Sequence, residues 1–525
     1  MKKLLLLFLA VGLLAANDDT GEKKRPKPRF PLSKETTYVT EPVDADGYID
    51  YVAAVNKHWS RGVTPANNAH VLLWKALGPH PEGATMPDEY FKWLGIKPPP
   101  EQGDYFIPSS RFAREQLKLV LGPHPNAFDD ELTQCSQGPW KAEEHPNAAA
   151  WLKANEKPLS LVVEATKRTH YYSPLVPKRT MEGPAPLLSS LLPSVQKCRE
   201  LAQILTVRAL LRVSEGRFDD AWQDLLASHR LGRLVARGAT LIELLVGIAI
   251  DAVAAKADIA FLEHGKLKSE HIENCLRDLQ KLPSMPRVAD KIDFGERLST
   301  LQIVVLMDRY GPEALENLDK AVPAKQPSPW AKMFRANVDY EPALRNINRW
   351  YDQIAKTLRV EDRSTREKQL AQLDKDLRKL KARTQESMPG ALELLFAKDS
   401  AKIRGGTIGN ILITLLMPAF NKVQSAADRC EQVQSNLYLA FALAAYQRDH
   451  GRYPKELDAL APKYLKKIPN DLFSGKPLVY RPSENGYLLY SVGVNGLDEQ
   501  GQSYDDDPRG DDLSVRMPLP KLRQK

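Results

Sequence analysis

Apolar residues recur at spacings of three and four from Leu191 to Leu282. This period is that of an α-helix with one buried face, so the middle of the chain is predicted to form helices that pack against one another. With 43% hydrophobic and 27% charged residues, the composition is that of a globular protein and excludes a wholly disordered, collagen-like or polytopic membrane protein. The length of 525 residues predicts about three or four structural units.

One helical hairpin in this stretch has a recognisable pattern. Gly216 is placed to end a first helix, Phe218 follows in the turn, and the small Ala221 permits close approach of a second helix. The unit, near residues 200–236, resembles a single tetratricopeptide helix-turn-helix. There is no second clear copy, so a generic antiparallel helix pair explains the pattern equally well.

A second motif places Gly238 five residues before Glu243, at the start of an apolar helix. This spacing resembles a prepilin processing site, but a genuine leader is short and 238 residues precede this one. Asp251 and Asp258 also interrupt the helix before it could span about 30 Å of hydrocarbon. We therefore predict a buried scaffold helix with Glu243 in its first turn, where the helix dipole favours an anion.

The regions on either side of these motifs differ in composition. Residues 37–190 are rich in Pro, Gly and aromatic residues and predict an irregular, mostly helical domain, with short helices such as Ile49–Trp59 and Asn67–Leu77. Residues 191–400 are predicted to be a helical scaffold that includes the tetratricopeptide-like hairpin and a helix at Glu296–Tyr310. Its last helix has four leucines at heptad spacing: Leu370, Leu373, Leu377 and Leu380. Barely two repeats favour a helix packed on its own domain over a coiled coil.

The N-terminus has the features of an export signal. Two lysines precede an unbroken apolar run from Leu4 to Ala16, and three polar residues follow it. The run is shorter than a typical span of about 20 residues, and the large Leu14 disrupts a small-x-small cleavage pattern. Residues 1–16 are predicted to be either a cleaved signal peptide or a membrane anchor formed by residues 4–16. Both predict export to the periplasm or cell envelope.

The charge distribution argues against a nucleic-acid partner, although the formal net charge is +8. Residues 17–36 form a basic, Pro-containing linker in which six Lys or Arg face two Glu from Glu22 to Glu35, a net +4 (6 − 2). From Asp498 to Asp512 one Arg faces seven acidic residues, a net −6 (1 − 7). A nucleic-acid-binding face would instead cluster Lys and Arg with aromatic residues.

The C-terminal part carries a specific series of motifs. An apolar segment at 411–422 leads into an amphipathic helix that Gly451 and Pro454 are placed to end. Leu478–Tyr480 and Tyr487–Val492 alternate as two strands joined by a turn at 483–486. Other motifs follow that helix or extend these strands: Tyr446–Pro454, Ile468–Asp471, Ser474–Tyr480 and Gly486–Asp498. In this order they resemble the type II secretion system protein G family, the major pseudopilin, over about residues 403–516.

The resemblance implies a pseudopilin-like C-terminal domain at residues 401–516, followed by a basic tail at 517–525. The predicted fold is therefore a mainly α helical scaffold with a C-terminal α+β domain, in which one long helix packs on a small antiparallel sheet. The chain departs from the family because some 400 residues precede the stem, and Gly405 to Gly409 replace the processing site. Incorporation into a pseudopilus is therefore not carried over from the fold.

The resemblance also implies a calcium-stabilised loop, which corresponds here to residues 491–512. Oxygen ligands are abundant in it, namely Asp498, Asp505, Asp506, Asp507, Asp511 and Asp512, and Ca²⁺ takes about six to eight oxygens. Arg509 and Arg516 stand where an EF-hand has ligands, so this loop is not an EF-hand. The hypothesis is Ca²⁺ held mainly by Asp498 and Asp512. The alternative is a solvated acidic loop.

No catalytic motif for a serine hydrolase, zinc protease, P-loop or dinucleotide-binding enzyme is present. The four cysteines, Cys135, Cys198, Cys275 and Cys430, lack metal or redox spacing and are expected to be buried thiols. We therefore predict a non-catalytic, exported envelope protein. Its pseudopilin-like module would bind a protein partner, and residues 4–16 would contact the membrane.

The alternative is an exported hydrolase with its site in residues 37–190. The candidate residues are four histidines: His58, His70, His145 and His170. A pocket in which two of these histidines meet a carboxylate within hydrogen-bond reach would favour the hydrolase.

Overall fold

The computed structural model describes residues 27–520 except 84, 119–125, 178, 181–182, 191, 193, 312–337, 387–399 and 418–419. The predicted export signal at 1–16, residues 17–26 of the basic linker and residues 521–525 of the basic tail lie outside the described residues. The described chain is mainly helical and contains one three-stranded antiparallel sheet. The coarse fold class predicted from the sequence is therefore confirmed.

The first part of the chain, up to residue 190, consists of short helices and a two-stranded hairpin. These are α1 (Tyr51–Trp59), α2 (Ala69–Leu77), α3 (Asp88–Leu94), α4 (Ser109–Glu115), α5 (Ala127–Cys135), α6 (Pro146–Ala154), α7 (Glu156–Thr166), β1 (Arg179–Thr180) and β2 (Gly183–Pro184). Both helices predicted here, α1 and α2, are present. Asn68 caps α2 by accepting a hydrogen bond from the backbone N of His70, and Gly78 ends it with a φ of +86°.

The scaffold consists mostly of longer helices. The first four are α8 (Val195–Ser214), α9 (Phe218–Val235), α10 (Leu241–His264) and α11 (Ser269–Gln280). The short α12 (Val288–Asp290) leads through a π-helical segment (Lys291–Glu296) into α13 (Arg297–Tyr310). The last two are α14 (Glu341–Leu358) and α15 (Arg363–Glu386). The C-terminal part contains α16 (Ser400–Leu416), α17 (Phe420–His450), β3 (Val479–Pro482), β4 (Tyr487–Ser491) and β5 (Leu513–Met517).

The hairpin of α8 and α9 forms as its pattern predicts. Gly216 has a φ of +74° between the two helices, and Ala221 is fully buried where they meet. Asp224 of α9 pairs with Arg208 and Arg212 of α8, each at 2.6 Å. The antiparallel helix pair is thus present, and its likeness to a tetratricopeptide unit stays a prediction.

The spacing of Gly238 and Glu243 has a local structural explanation. Glu243 is fully buried and forms a capping box with Thr240, since each accepts a hydrogen bond from the backbone N–H of the other. A Cβ atom at Gly238 would lie 2.0 Å from Cδ of Glu243, so the carboxyl group occupies the space of a side chain at position 238. Both residues are buried, as predicted for a scaffold helix rather than a processing site.

The three-stranded sheet has the order β3-β4-β5, with both pairs antiparallel. The predicted turn between the first two strands is closed by the backbone N of Ser483, which donates to the carbonyl of Gly486 at 2.9 Å. α17 ends at His450 before Gly451, which has a φ of +72°. The third strand was not predicted, because it follows the long acidic loop and not a short turn.

The C-terminal sheet and the scaffold share one apolar core. Trp222 of α9 stacks on Phe261 of α10 with ring centroids 5.8 Å apart, and contacts Phe441 of α17 at 5.6 Å. Leu489 of β4 is buried in the same cluster. The predicted boundary at residue 400 stays a prediction, but the hydrophobic core runs across it.

The apolar helix α16, expected to begin a stem, is packed against α14. A Cβ atom at Gly405 would lie 1.8 Å from the carbonyl oxygen of Asp339, and one at Gly409 would lie 2.9 Å from Cα of Ala343. The stretch Ser400–His450 contains an 18-residue window, with a mean hydropathy of 1.3, that is long and apolar enough to cross a bilayer, but half of that window is buried inside the protein. Its length and composition therefore do not show a membrane span.

α15 completes this part of the core. Three of its heptad leucines, Leu370, Leu373 and Leu377, are buried in the same cluster as α14 and α16. The helix therefore packs on its own protein, as its short repeat predicts. All four cysteines are likewise buried and form no disulfide.

A buried ionic network joins α9, α10 and α17. The two ring nitrogens of His229 contact Asp251 Oδ1 at 2.6 Å and Asp258 Oδ2 at 2.8 Å. Arg233 also donates to Asp251 Oδ1, and Cys430 Sγ of α17 lies 3.6 Å from Asp251 Oδ2. Because both imidazole nitrogens face carboxylates, the arrangement favours a protonated His229 between two anions.

The charge state of His229 predicts a pH dependence of stability. Burial alone would lower its pKa, but the charges and hydrogen bonds of Asp258 and Asp251 outweigh this and raise the pKa to about 9. The folded state thus holds a proton that the unfolded chain loses near pH 6.5. The stabilisation by protonated His229 is complete below pH 6.5 and is lost as the pH rises through 9.

The measurement is urea unfolding of the wild type and of His229→Gln between pH 6 and 10. We expect the difference in free energy of unfolding between the two proteins to shrink as the pH rises through this window. Comparison with the variant removes the contribution of other groups, such as Lys291, whose buried amine has its pKa lowered to about 8. A difference that is constant with pH would contradict the protonated state of His229.

Candidate metal centre

The acidic loop between β4 and β5 returns to the point where it leaves the sheet. Ser491 at the end of β4 pairs with Leu513 at the start of β5, so the two ends of the loop are adjacent. Three side chains of this loop, Glu499, Asp511 and Asp512, each place a carboxylate oxygen within 4.8 Å of the others. The β-sheet register therefore brings together acidic residues that are 12 and 13 positions apart in the chain.

Asp512 is the most buried of the three, with 1% of its surface exposed. Its Oδ2 accepts hydrogen bonds from the backbone N of Glu499 at 3.1 Å and of Gly501 at 2.7 Å. Its Oδ1 is buried and has no hydrogen-bond partner among the described residues. The carboxylate of Asp512 is thus fixed through Oδ2, and its Oδ1 is left available to a ligand.

Asp511 has the same arrangement. Its Oδ2 accepts hydrogen bonds from the backbone N of Val494 at 3.0 Å and of Asn495 at 3.1 Å, and from Arg429 Nη2 of α17 at 3.1 Å. Its Oδ1 is also buried and without a hydrogen-bond partner in the described part of the chain. Two neighbouring aspartates therefore each offer one buried, uncommitted oxygen.

Glu499 and Gly493 complete the loop geometry. Glu499 accepts a hydrogen bond from the backbone N of Asp511 through Oε2 and another from Asn495 Nδ2 through Oε1, at 3.2 Å. Gly493 has a φ of +66°, and a Cβ atom there would lie 2.4 Å from Asp511 Oδ1. A side chain at position 493 would therefore occupy the space beside the uncommitted oxygen.

The electrostatics of the cluster favour a cation. Burial is the main cause that raises the pKa of Asp512 to about 6; the negative charges of Glu499 and Asp498 act in the same direction, and the backbone donors of Gly501 and Glu499 act against it. Arg429, whose side chain is 40% exposed, forms an ion pair with Asp511 from outside the cluster. Three carboxylates this close repel one another unless a proton or a cation lies between them.

The two aspartates predicted as the main metal ligands make different contacts. Asp512 lies in the cluster, but Asp498 Oδ1 accepts hydrogen bonds from Tyr490 Oη and from the backbone N of Gln500, both at 2.9 Å. The cluster also contains Asp511, which was predicted only as one of the oxygen donors of the loop, and Glu499, which was not among them. The signal that could have found them is the antiparallel pairing of the flanking strands, which depends on β5.

The other loop aspartates make separate contacts. Asp505 pairs with Lys256 of α10 at 2.8 Å. Asp506 pairs with Arg516 of β5 at 2.8 Å, and that hydrogen bond holds the pKa of Asp506 well below its ordinary value. These two residues link the loop to the scaffold and to the sheet, and they are not part of the cluster.

The four histidines of the predicted hydrolase site have different side-chain partners among the described residues. His58 stacks on Phe294 with ring centroids 4.0 Å apart. His70 is fully buried. Its Nε2 forms a hydrogen bond with Tyr90 Oη at 2.6 Å and accepts one from Trp74 Nε1 at 2.9 Å. The other two have separate neighbours: Trp140 for His145 and Thr169 for His170. The described contacts do not bring two of the four to one carboxylate.

A surface depression of about 670 Å³ lies in the same part of the protein. It is lined by residues of both charges, including Glu101, Asp104, Arg111 and Lys157, and by none of the four histidines. Residues of opposite charge already pair across it, since Lys157 contacts Asp104. The depression therefore adds no support to the hydrolase alternative.

Comparisons with protein-family models, with curated proteins and with solved structures find no match to this chain. The class that the fold and the site define is thus a mainly helical protein with a small antiparallel sheet. A loop of that sheet holds a cluster of three carboxylates suited to a cation.

Proposed function

We propose that this chain is an exported, non-catalytic envelope protein whose C-terminal part is a calcium-stabilised, pseudopilin-G-like interaction module. The observation that carries the proposal is the pair of buried, uncommitted Oδ1 atoms of Asp511 and Asp512 beside Glu499. They lie in the loop for which the family resemblance implies calcium. A buried carboxylate oxygen without a donor is costly unless a proton, water or ion meets it.

The donor set fits Ca²⁺. All three side chains offer carboxylate oxygen, which hard cations prefer. Asp511 and Asp512 are each anchored through Oδ2, an arrangement by which protein metal sites orient their ligands. When bound, Ca²⁺ would neutralise the cluster and hold the two ends of the loop together, with the remaining oxygens supplied by water or backbone.

The same loop exposes large apolar side chains. Leu497 is 63% exposed and Tyr504 is 68% exposed. A cation that fixed the loop would hold these two side chains in one arrangement before a partner arrives, which lowers the entropic cost of binding. We therefore assign protein binding to this loop surface.

Calcium titration of the full-length protein tests the proposed site. We expect heat on binding and a melting temperature that rises with Ca²⁺, because a ligand at one hundred times its Kd adds about 2.7 kcal/mol to the free energy of unfolding. Asp512→Asn removes one charge and keeps an acceptor for the backbone donors, and it should abolish both effects. Mg²⁺ should have a smaller effect, because it requires a tighter octahedral shell.

The matched control is Asp505→Asn, which removes one charge from the same loop outside the cluster. This variant should bind Ca²⁺ as the wild type does. If the wild type gave neither heat nor a change in melting temperature, the loop would be a solvated acidic segment. Equal losses in both variants would show a general charge effect and not a site.

A further inference from the structure

α10 has its acidic residues inside and apolar residues outside. Glu243 and Asp251 are 0% and 3% exposed. Three large apolar side chains of the helix are exposed: Ile242 at 53%, Leu245 at 37% and Val253 at 37%. Over residues 241–255, which the structure describes throughout, no charged side chain is exposed. A surface helix normally directs its charged residues to solvent, so this arrangement predicts a contact surface on α10.

The exposed residues of α10 lie on one side of the helix. An α-helix turns by about 100° per residue, and at that angle the exposed residues from 242 to 256 and the half-buried Ala249 fall within an arc of about 100°. These six residues form the α10 strip: Ile242, Leu245, Ala249, Ala252, Val253 and Lys256. α8, α9 and α17 pack against the helix, and the strip is the side that they leave uncovered.

The strip is symmetrical about Ala249. Leu245 and Val253 lie four positions before and after it, and Ile242 and Lys256 lie seven positions before and after it. Four and seven positions are about one and two helical turns. Two antiparallel copies of α10, related by a twofold axis at Ala249, would place Leu245 of each copy against Val253 of the other. The alkyl chain of Lys256 would cover Ile242 of the other copy.

This pairing is complementary in size and in charge. The small Ala249 at the axis permits two helices to approach to about 8 Å between their axes, the lower end of the usual range. The larger side chains lie one turn away on both sides. Lys256 is the charged residue of the strip, and it would face Ile242, so no like charges meet.

A lipid surface fits the strip less well. Helices that lie in a membrane surface combine their apolar face with several Lys or Arg. The strip has one such residue, Lys256, and its ammonium is already paired with Asp505 of the β4–β5 loop at 2.8 Å. A second copy of this chain is therefore the occupant that the strip fits best.

We propose that the α10 strip is a self-association surface, through which two copies of this chain pair antiparallel about Ala249. One helix face buries less than the roughly 1,600 Å² of a standard interface, so the dimer is weak and reversible, with a Kd of about 10–100 µM. The inference goes beyond the proposed function. It depends neither on calcium nor on export.

Sedimentation equilibrium of the full-length protein in EDTA, at concentrations up to about 500 µM, measures this association. Leu245→Glu combined with Val253→Glu would bring carboxylates face to face between the copies and should raise the Kd at least tenfold. The control is Leu188→Glu, at a leucine that is 50% exposed outside the strip. This variant should associate as the wild type does. Circular dichroism checks that each variant is folded.

A charge-swapped variant tests the register. Leu245→Glu combined with Val253→Lys would place opposite charges face to face, so its Kd should return to within about threefold of the wild-type value. The two positions are about 12 Å apart within one helix, at 1.5 Å per residue. Restored association therefore requires the second copy and cannot come from an ion pair within one chain.

A cysteine at the axis provides an independent measurement. Under mild oxidation Ala249→Cys should form a disulfide between two copies, because the axis brings this position next to its counterpart. Ile242→Cys should not, since it lies about 21 Å from its counterpart in this pairing. The four native cysteines are buried and should not compete.

A protein that stayed monomeric at about 500 µM would overturn the proposal. So would a dimer that neither charged variant changed, or one in which Ile242→Cys cross-linked as fast as Ala249→Cys. Binding of a monomer to phosphatidylcholine vesicles that Leu245→Glu abolished would assign the strip to lipid instead. Calcium titration is a separate measurement, so failure of the calcium site would leave this result unchanged.

Discussion

Replacing Asp251 by Asn is expected to lower the free energy of unfolding by about 3–5 kcal/mol, the usual cost of removing one partner from a buried ion pair. Asp251 accepts from His229 and Arg233, and all three side chains are less than 5% exposed. Those two cations hold the pKa of Asp251 near 2 against the effect of burial, which alone would raise it. Without this anion, Arg233 and His229 would be left in the core with one carboxylate between them.

Urea unfolding near pH 6.5, followed by circular dichroism, measures this loss. The matched control is Asp219→Asn in the facing helix α9, because the Asp219 side chain is 94% exposed. That change should stay within about 0.5 kcal/mol of the wild type. A loss for Asp251→Asn no larger than that of the control would mean that the network does not stabilise the contact between α9 and α10.

Replacing Gly405 by Ala is expected to destabilise the protein by about 1–3 kcal/mol, the range for overpacking a close contact. The added Cβ would lie 1.8 Å from the carbonyl oxygen of Asp339, so α16 must move away from the segment that leads into α14. The neighbouring Gly406 has no atom within 4 Å of its Cβ position. Gly406→Ala should therefore raise the stability by about 0.5–1 kcal/mol through helix propensity.

Thermal and urea unfolding of the two variants test whether the two substitutions change the stability of the protein in opposite directions. The pair is well matched, because both substitutions add one methyl group to adjacent positions of one helix. Similar effects of both variants would mean that α16 is not packed on α14 as closely as the structure has it. A large loss at Gly405 would show that the apolar helix belongs to the body of the protein and is not a free stem.

Elements defined by local signals were predicted well. α1, α2 and the end of α17 follow from cap residues and from glycine beyond the last turn. The β3–β4 hairpin follows from its alternating residues and its turn. These features depend on contacts between residues a few positions apart, so the local sequence carries the information.

The candidate site depends on longer-range contacts. The acidic loop, including Asp511, was identified as a candidate for calcium with Asp498 and Asp512 as the main ligands, whereas the cluster consists of Glu499, Asp511 and Asp512, and calcium binding stays a prediction. Which carboxylates meet depends on the pairing of β4 with β5 and on the hydrogen bond from Tyr490 that holds Asp498 aside. The spacing of the aspartates along the sequence indicates neither of these two contacts.

The buried network is the clearest case of a feature outside the reach of local patterns. Asp251 and Asp258 were noted only as charges that interrupt an apolar helix. Their role depends on His229, which lies 22 and 29 positions away on the neighbouring helix. A charge in an apolar helix costs energy by itself, and only the facing helix shows whether it is compensated.

The sequence by itself determined the bounds of several helices, the hairpin turn, and the position of Glu243 in the first turn of a buried helix. Only the tertiary structure decided which acidic residues form the candidate metal centre, that α16 is packed on α14, and that the scaffold and the C-terminal sheet share a core. The physical reason is the range of the interactions. Caps, turns and periodicity are set by neighbours in the chain, whereas burial and ion pairing are set by faces that meet only after folding.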